Sequence, residues 1–368
     1  MPRQLLIRNA TTHLPAGPGR MDILCDGARI AAIGRDLEAP AARVIEAAGL
    51  HAGPGLIDIH VHGGGGFSFF GSDPAAVRSY AAWAPRNGVT SFLVSTIGRD
   101  AVETTAVFAG LRPAIGCPGG AEPLGFHLEG PFINPLRMGA FHPRMLRDPD
   151  PAEFERHQRA AAGFIRQVTL APELKGALDL VAVVTGSGAV AAMGHTDATA
   201  GQARAGFAAG VSHVTHLFNA MRPIHQREGG PAVAAMLEEG ATCELICDGA
   251  HVVPELLDMA YRVLGPQRAV AVTDNLHIAG TEVASGSFGG QAVEVQGAKA
   301  VRADGTIVGS VATMDQHFRN AMSFLEIGPA AAFMLCAANP ARVAGAAQRK
   351  GSLAPGFDAD IVLLDAEF

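Results

Sequence analysis

The sequence has few lysines and few cysteines, and it has no apolar run long enough to cross a membrane. Only three of its 28 basic residues are lysine, and its five cysteines are an odd number in 368 residues. So few cysteines fit a reducing compartment better than a disulfide scaffold. A membrane span needs about 18 consecutive apolar residues, and the N-terminus lacks the apolar stretch and cleavage site of a signal peptide. We therefore expect a cytoplasmic protein that has no membrane partner.

The sequence also lacks an excess of positive charge. Its formal net charge is −7 at pH 7, and it contains no basic tail or stripe of lysine and arginine. This charge distribution excludes nucleic acid as a main partner. Hydrophobic residues make up 48% of the chain and charged residues 17%, which is enough apolar material for a large core and argues against disorder.

The middle of the chain repeats one unit, in which an apolar, β-branched run precedes polar or glycine residues and then an alanine-rich helical stretch. Eight such runs are candidate strands, at residues 55–62, 90–96, 123–129, 166–172, 191–196, 212–218, 242–248 and 268–274. Stretches typical of the intervening helices include residues 74–88, 198–210 and 254–265. Eight strands with helices between them over about 225 residues predict an α/β fold of the (β/α)8 TIM-barrel type.

The two ends of the chain differ from its middle. Short runs of alternating apolar and polar residues fill the first 50 positions, and the last 18 positions return to the same pattern, which is typical of short strands. We predict that residues 1–50 and 340–368 fold together into a small β-domain. Residues 51–339 would then form the barrel.

An open, doubly wound sheet is the alternative to a barrel. That fold needs a glycine-rich phosphate loop after its first strand, and four glycines do follow the first candidate strand at residues 63–66. The neighbouring His60 and His62 are not part of a dinucleotide-binding fingerprint, however. The barrel is therefore the favoured interpretation.

Polar residues lie at the ends of the candidate strands. In a TIM barrel the carboxyl ends of all strands face one rim, and active sites are built there. The residues at these positions are Asp58, His60, His62, His127, Glu129, His195, His216 and Asp274. The topology therefore predicts that side chains far apart in the sequence converge on one site.

The residue types at this rim indicate a metal centre. His60 and His62 are two residues apart on a strand, so both project to the same face. Glu129 ends an apolar strand, where a carboxylate is costly to bury unless it is paired or binds a metal. With His195 and His216 it forms a set that leaves one position open for water, as in catalytic metal sites. No lysine ends a strand, so a bridging carbamylated lysine is excluded and Glu129 takes the central or bridging position.

Four further residues have candidate roles near this centre. Asp274 can accept a proton from a water whose pKa a metal lowers from about 15.7 to about 7, and return it to a leaving amine. His251 follows the seventh candidate strand and can donate to a carbonyl or a sugar hydroxyl. The guanidinium of Arg227 suits a phosphate or a carboxylate. His127 shares the face of Glu129, and we interpret it as a residue that orients a ligand.

A set of motifs spans the chain: HLEGPF, GHTDAT, THLFNAM, DGAHV, VTD and the closing KGSLAPGFDADIVLLD. Through these motifs the chain resembles, across nearly its whole length, the N-acetylglucosamine-6-phosphate deacetylase family of the amidohydrolase superfamily. The N-terminal DILCDGARIAAIG is similar to the small β-sandwich that accompanies these barrels. The resemblance implies hydrolysis of the acetamide of N-acetyl-D-glucosamine 6-phosphate to acetate and D-glucosamine 6-phosphate.

The resemblance also implies roles for individual residues. It implies Glu129, His195 and His216 as metal ligands and Asp274 as the catalytic acid and base. It implies one or two divalent ions, zinc or iron, with His60 and His62 in the two-metal branch. The substrate residues it implies are Asn219 and Ala220 on the phosphate loop, His251 beside the acetamide carbonyl, Met314 in the pocket wall, and Arg227. In the family this arginine reaches the phosphate from a neighbouring subunit, so a homodimer is implied.

Two positions depart from the family pattern. The family has a histidine twelve residues after the metal glutamate, where this chain has Phe141 and the histidine follows as His142. We assign His142 to substrate binding on the expectation of a one-residue loop shift. Asn275 and His277 follow the catalytic aspartate in place of the usual segment, and we expect them to affect which sugar epimer fits.

Three alternative functions remain open at this point. One is the same reaction on N-acetylgalactosamine 6-phosphate or another N-acyl amino sugar. The second is hydrolysis of a cyclic amide or an N-acyl amino acid, against which Arg227 and the THLFNAM loop argue because both suit a phosphate. The third is a binding protein without catalysis, against which the complete ligand set argues.

Overall fold

The computed structural model describes residues 4–14, 17–117, 119–288, 290–366 and 368. In chain order the strands are β1 (Gln4–Leu14), β2 (Gly17–Asp26), β3 (Arg29–Gly34), β4 (Arg43–Glu46), β5 (His51–Pro54), β6 (Leu56–Asp58), β7 (Gly63–Gly64), β8 (Phe67–Ser68), β9 (Val89–Thr96), β10 (Glu122–Glu129), β11 (Ile165–Leu170), β12 (Val190–Met193), β13 (His213–Val214), β14 (Thr242–Ile246), β15 (Ala269–Val272), β16 (Ser285–Phe288), β17 (Gln291–Gln296), β18 (Lys299–Val301), β19 (Ile307–Ser310) and β20 (Ile361–Leu364).

The α-helices are α1 (Pro74–Trp83), α2 (Ala101–Leu111), α3 (Pro151–Ala160), α4 (Ala177–Gly186), α5 (Ala200–Ala209), α6 (Gly230–Leu237), α7 (Pro254–Leu264), α8 (Met314–Phe324), α9 (Pro329–Phe333) and α10 (Asn339–Val343). Several begin at capping side chains, which satisfy backbone N–H groups that lack a partner in the first turn. Asp73 caps α1, Asp100 caps α2, and Thr199 forms a capping box at α5. No helix within the described ranges is long and apolar enough to cross a membrane.

A parallel sheet of eight strands forms the body of the molecule. Its order is β6-β9-β10-β11-β12-β13-β14-β15, and every neighbouring pair is parallel. The strands are buried along almost their whole length, as expected where helices cover a parallel sheet. Each of the eight predicted runs overlaps one of these strands, so the prediction of a (β/α)8 barrel is confirmed.

The two edge strands of this sheet meet just beyond their regular ends. The backbone N–H of Asp274 donates to the carbonyl oxygen of His60 at 2.8 Å, and that of His62 donates to Asn275 at 2.8 Å. These bonds join the chain after β6 to the chain after β15 at the carboxyl-end rim. The doubly wound alternative is thereby excluded, and the glycines at Gly63–Gly64 pair with Phe67–Ser68 in a hairpin instead of opening a phosphate loop.

Both chain ends build a small β-sandwich, as predicted. The sheet order β20-β5-β1-β2-β3, with β4 also paired to β1, brings the C-terminal strand beside the N-terminal ones. Side chains such as Ile7, Ile23 and Leu353 form its own buried core. The sheet includes β5, and so it extends four residues beyond position 50. The division into residues 1–50 plus 340–368 and residues 51–339 stays a prediction.

A third sheet was not predicted. Strands β16, β17, β18 and β19 form an antiparallel meander between β15 and α8. It packs through Phe288, Val293 and Val308 onto Leu276 and Ile278. This packing places one end of the meander over the rim of the barrel.

Candidate metal centre and active site

The predicted rim residues occupy matching positions after their strands. Glu129 is the last residue of β10. His195 lies two residues after β12, His216 two residues after β13, and Asp274 two residues after β15. Since the strands are parallel, these side chains are brought to one end of the barrel, where all are buried.

Three of these residues have backbones in the left-handed region. The φ angles are 47° at His195, 28° at His216 and 53° at Asp274. This conformation is uncommon for residues with a Cβ atom and costs about 1–3 kcal/mol each. The surrounding structure therefore holds the chain in strained turns that aim these three side chains at one point.

One group of side chains is centred on Glu129. Its Oε1 atom lies 3.2 Å from Nε2 of His195 and 3.1 Å from Nε2 of His216. The two Nε2 atoms are 3.0 Å apart. Ligand atoms about 3.4 Å apart are expected around a tetrahedral ion with bonds of about 2.1 Å, so this spacing is close to that of a ligand set.

A second group adjoins the first. Asp274 Oδ1 lies 3.4 Å from Nε2 of His60 and 3.4 Å from Nε2 of His62. Glu129 links the groups, because its Oε1 lies 3.3 Å from His60 Nε2 and its Oε2 lies 3.2 Å from His62 Nε2. Each set of three offers ligand atoms within 4.8 Å of one another.

The hydrogen bonds of His60, His62 and His195 place a hydrogen on Nδ1 of each ring. Nδ1 of His60 faces a carboxylate, Glu244 Oε2, at 2.9 Å, while Nδ1 of His62 faces the Ser95 carbonyl oxygen at 3.1 Å. Nδ1 of His195 faces a third acceptor, the carbonyl oxygen of Arg137, at 2.8 Å. Each Nδ1 must therefore carry a hydrogen, and in a neutral ring the lone pair of Nε2 would face carboxylate lone pairs. Such an arrangement needs a cation between them.

The ionisation of the site shows the same demand for positive charge. Burial opposes charging of His62, but hydrogen bonds to Asp274 and Glu129 outweigh burial and raise its pKa to about 9. Burial is likewise outweighed at His60, whose pKa is raised well above its ordinary value by Glu129, Glu244 and Asp274. Burial would raise the pKa of Glu129, but His60 and hydrogen bonds from His195 and His216 hold that pKa well below its usual range. In the metal-free protein, protons bound to these histidines supply the positive charge that a metal ion would otherwise supply.

The donor set fits a divalent transition metal. It consists of imidazole nitrogens and carboxylate oxygens, which suit zinc and iron alike. His60 Nε2 is buried and has no hydrogen-bond partner among the described residues, although two carboxylates face it. A buried acceptor without a partner is costly, and a metal ion would satisfy it.

A cavity of about 270 Å³ opens above these side chains. Phe141 packs its ring 5.1 Å from His195, and Phe288 from the meander lies 6.1 Å from His62, so the two phenylalanines form apolar walls. Asn219, Ala220 and His251 line the opening together with the first residues of β19. The cavity is therefore polar at its floor and apolar at its sides.

The sequence model of the amidohydrolase family matches residues 52–368 of this chain. The chain belongs to the amidohydrolase family. It is an enzyme of the class that hydrolyses amide bonds, and the predicted resemblance is confirmed.

Individual relatives of this amidohydrolase carry more specific names. It is 34% identical over 337 residues to the N-acetylglucosamine-6-phosphate deacetylase of Bacillus subtilis, which covers 90% of this chain and 83% of the relative. It is 33% identical over 315 residues to the N-acetylgalactosamine-6-phosphate deacetylase of Escherichia coli O157:H7, covering 85% and 83%. A solved mutant of the Mycobacterium smegmatis N-acetyl-D-glucosamine-6-phosphate deacetylase, in complex with N-acetyl-D-glucosamine-6-phosphate, matches with a TM-score of 0.92 at 35% identity over 99% of this chain and 96% of that chain.

Three predicted substrate residues do not line the cavity of this amidohydrolase. Arg227 is exposed in a loop between β13 and α6, and Met314 is buried in the core at the start of α8. His142 is exposed, and its Nδ1 accepts from the backbone N–H of Arg144 at 3.1 Å. Phe141 lies in the cavity wall instead, so the one-residue loop shift that would bring His142 to the site does not occur.

His127 supports the site without touching a carboxylate ligand. Its Nδ1 pairs with Ser95 Oγ at 2.9 Å and its Nε2 with Thr169 Oγ1 at 2.8 Å. Ser95 in turn accepts from Nδ1 of His62 through its carbonyl oxygen. The ring of His127 also packs edge-on against His60 at 4.6 Å. These contacts agree with the interpretation that it orients ligands.

Two acidic residues near the site were missed in the sequence. Glu244 on β14 is fully buried and contacts His60, and Asp248 contacts His251 at 2.6 Å. Both lie in or beside the apolar run CELIC. The signal that found Glu129, a carboxylate within a buried strand, applies equally to Glu244.

Proposed function

We propose that this amidohydrolase removes the acetyl group of N-acetyl-D-glucosamine 6-phosphate, giving acetate and D-glucosamine 6-phosphate. The observation that carries the proposal is the convergence of Glu129, His195 and His216, with Asp274 beside them, on the floor of one cavity. Relatives and solved structures that bear this activity in their names match over most of the chain. The substrate is thus a phosphorylated N-acetyl amino sugar.

Two groups of side chains support two metal positions. Glu129, His195 and His216 would hold one divalent ion, and His60 and His62 with Asp274 would hold a second, zinc or iron in each case. Such an ion supplies a water of lowered pKa and polarises a carbonyl oxygen. Glu129 would contribute to both positions, because its Oε1 atom faces His195 and His216 and its Oε2 atom faces His62.

Asp274 moves the proton in the proposed reaction. Burial opposes its charge, but His60 and His62 lower the pKa of Asp274 below the ordinary range, so it is an anion able to accept a proton from the attacking water. The same carboxyl group then gives the proton to the departing amine. His251 is held by Asp248 and donates from the cavity edge to the acetamide oxygen.

The phosphate requires groups beyond this cavity. Asn219 and Ala220 lie at its opening and would contact the sugar phosphate. Arg227 is exposed and lies outside the cavity of its own chain, which supports a role at the cavity of a second copy. We therefore propose a homodimer in which each chain contributes Arg227 to the cavity of its partner.

The five cysteines of the chain are unpaired, which supports a cytoplasmic location.

The walls of the cavity suggest where the acetyl group lies. Phe141 packs against His195, directly beside the proposed ion, and it occupies the position expected of a polar substrate contact. We propose that Phe141 contacts the acetyl methyl group. Its apolar ring favours a short acyl chain, whereas His142 stays outside the site.

Acetate release tests the proposal. The purified protein is assayed on N-acetyl-D-glucosamine 6-phosphate and N-acetyl-D-galactosamine 6-phosphate side by side, and the metal content of the same sample is determined. We expect the gluco epimer to give the higher kcat/KM. A preference for the galacto epimer would show that N-acetyl-D-galactosamine 6-phosphate is the substrate instead. If the metal-bound protein released acetate from neither epimer, the deacetylase function would be refuted.

A further inference from the structure

Glu244 is a buried carboxylate beneath the cavity that the proposed reaction does not use. It lies on β14 with no exposed surface. Its Oε2 atom faces Nδ1 of His60 at 2.9 Å and the backbone N of His216 at 2.9 Å. Its Oε1 atom faces Nε2 of Gln167 at 2.9 Å and Nε2 of His213 at 3.1 Å. All four neighbours can donate, so the carboxylate acts only as an acceptor.

These contacts fix the orientation of the carboxylate and of His60 together. The hydrogen bonds to Gln167 and His213 hold Oε1, and the immobile backbone N–H of His216 holds Oε2. His60 can pair with Oε2 only when its Nδ1 carries the hydrogen. In the neutral ring the opposite nitrogen, Nε2, is then a lone-pair donor aimed at Glu129 and Asp274.

Without this carboxylate His60 would be free to reverse. A neutral imidazole exists as two tautomers, and only the one with the hydrogen on Nδ1 can bind a metal through Nε2. Nε2 hydrogen-bonds to no described residue, while the acidic groups around it would favour a hydrogen there. The partner of Nδ1 is therefore the group that favours the tautomer with the hydrogen on Nδ1.

We propose that Glu244 is a positioning residue that fixes the tautomer of His60 and thereby forms the ion position of His60, His62 and Asp274. Its hydrogen bond to the other ion position comes from the backbone N–H of His216 and not from the imidazole, so we expect its removal to weaken only the ion of His60, His62 and Asp274. The inference rests on the ion positions proposed above. It does not require that the substrate be a sugar phosphate.

The chain offers a graded pair of variants for a test. In Glu244→Gln the amide oxygen of the new side chain can still accept from Nδ1 of His60. The NH2 group of the new side chain can then donate to Oε1 of Gln167, which has no hydrogen-bond partner among the described residues. Glu244→Leu removes the acceptor altogether. The matched control is Glu153→Gln on α3, a buried carboxylate that pairs with His157 and Arg147 outside the cavity.

Metal-free protein is titrated with zinc ions, and the bound ions and their affinities are measured by calorimetry and elemental analysis. We expect two ions in the wild type. The affinity of one ion should fall about 10-fold in Glu244→Gln and about 100-fold in Glu244→Leu, while the other ion and the Glu153→Gln control stay unchanged. A purely structural role would lower the melting temperature of all three variants without separating the two ions.

The outcomes are distinct. Two ions of wild-type affinity in both Glu244 variants would overturn the inference. One ion in the wild type would overturn it together with the second ion position, and a one-ion deacetylase would remain. Two ions weakened as expected, without acetate release from either epimer, would support the inference and refute the proposed function.

A measurement on the wild type covers the case in which the variants fail to fold. Nuclear magnetic resonance of protein with 15N-labelled histidine, loaded with zinc, reports which nitrogen of each ring carries hydrogen. We expect hydrogen on Nδ1 of His60, protected from exchange. Hydrogen on Nε2 of His60 would overturn the proposal.

Discussion

His251 Nδ1 lies 2.6 Å from Asp248 Oδ2, so the cavity-lining imidazole is held by a carboxylate three residues before it. The other oxygen of Asp248 accepts from the backbone N–H groups of Ala250 and His251. Burial opposes its charge, but the bond to His251 outweighs burial and lowers the pKa of Asp248. The ring of His251 is therefore fixed, and its Nε2 atom is the one left for the substrate.

This relationship predicts the effect of Asp248→Asn. The amide weakens a charge-assisted bond worth about 1.5–3 kcal/mol, so kcat/KM should fall about 10- to 100-fold with both ions retained. His251→Asn should lose at least as much, and the double variant should add little more because the residues act as a unit. Additive losses in the double variant would contradict a shared role.

Replacement of the proposed acid and base gives the largest loss. In Asp274→Asn the side chain keeps its shape but cannot take a proton, and kcat should fall by about 10²- to 10⁴-fold. The ion on Glu129, His195 and His216 should remain, because none of these residues is changed. Elemental analysis checks the ion, and wild-type turnover in the variant would make the assignment wrong.

Removal of metal should abolish activity and lower stability. At a free ion concentration of 100 Kd, one bound ion stabilises the folded state by about 2.7 kcal/mol, so chelation should lower the melting temperature. Zinc or iron should restore acetate release, whereas Mg²⁺, which prefers oxygen ligands, should not.

Ion affinity should also depend on pH. Since the pKa of His62 is raised to about 9 in the metal-free protein, its proton must leave on binding. The apparent affinity therefore falls as the pH drops below about 9. Proton release in buffers of different ionisation enthalpy measures this exchange, and binding without proton release would contradict it.

A mixing experiment tests the exchange of Arg227 between chains. Arg227→Ala should raise KM about 10- to 100-fold through loss of a charge-assisted bond to phosphate. When this variant is mixed and refolded with Asp274→Asn, the mixed dimer has one cavity with both Asp274 and a partner arginine. About a quarter of the wild-type sites should then be active. No gain over the separate variants would exclude sharing between chains.

The ion pairs of Lys350 should make a contribution to the free energy of unfolding that depends on pH. Its Nζ atom lies 3.0 Å from Glu122 and 3.0 Å from Asp358, and the residue is 5% exposed. Burial opposes the charges, but Arg349 and Lys350 lower the pKa of Glu122, and both likewise lower that of Asp358. Lys350→Met should lower the free energy of unfolding by about 2 kcal/mol near pH 7, less than a fully buried pair because the carboxylates are partly exposed.

The sign follows from the lowered carboxylate pKa values. Their stabilisation is complete above the unfolded-state values near 4 and is lost as the pH falls through the lower folded-state values. The difference between wild type and Lys350→Met should therefore shrink below about pH 4. Chemical unfolding at several pH values measures it, with the exposed Lys175→Met as the control. A difference independent of pH would point to packing alone.

The barrel could be predicted because its signal is local and repeated. Most of the eight strands are buried apolar runs, and parallel topology alone places Glu129, His195 and His216 at one rim. The meander of β16 to β19 was missed because β16 and β17 are largely exposed and β18 and β19 are only three and four residues long. Such strands lack the apolar run that marks a buried one.

Distances between side chains could not be predicted in the same way. The position of Phe141 in place of His142 depends on a loop whose path is set by packing against His195. The contacts of Glu244 with His60 and His213 join strands that are distant in the sequence. A single sequence gives no pairing between such positions.

The bond from the Asp274 N–H to the His60 carbonyl has a consequence for how this protein can change. The residue that carries the reactive carboxyl group also closes the barrel, because its backbone N–H joins the chain after the last strand to the chain after the first strand. New side chains at position 274 leave this bond in place, because it joins backbone atoms and does not involve the side chain of residue 274. An inserted or deleted residue between 59 and 61 or between 273 and 275 would move these backbone groups out of register and break the bond. The barrel therefore tolerates a new side chain at position 274 but not a change in chain length at this point.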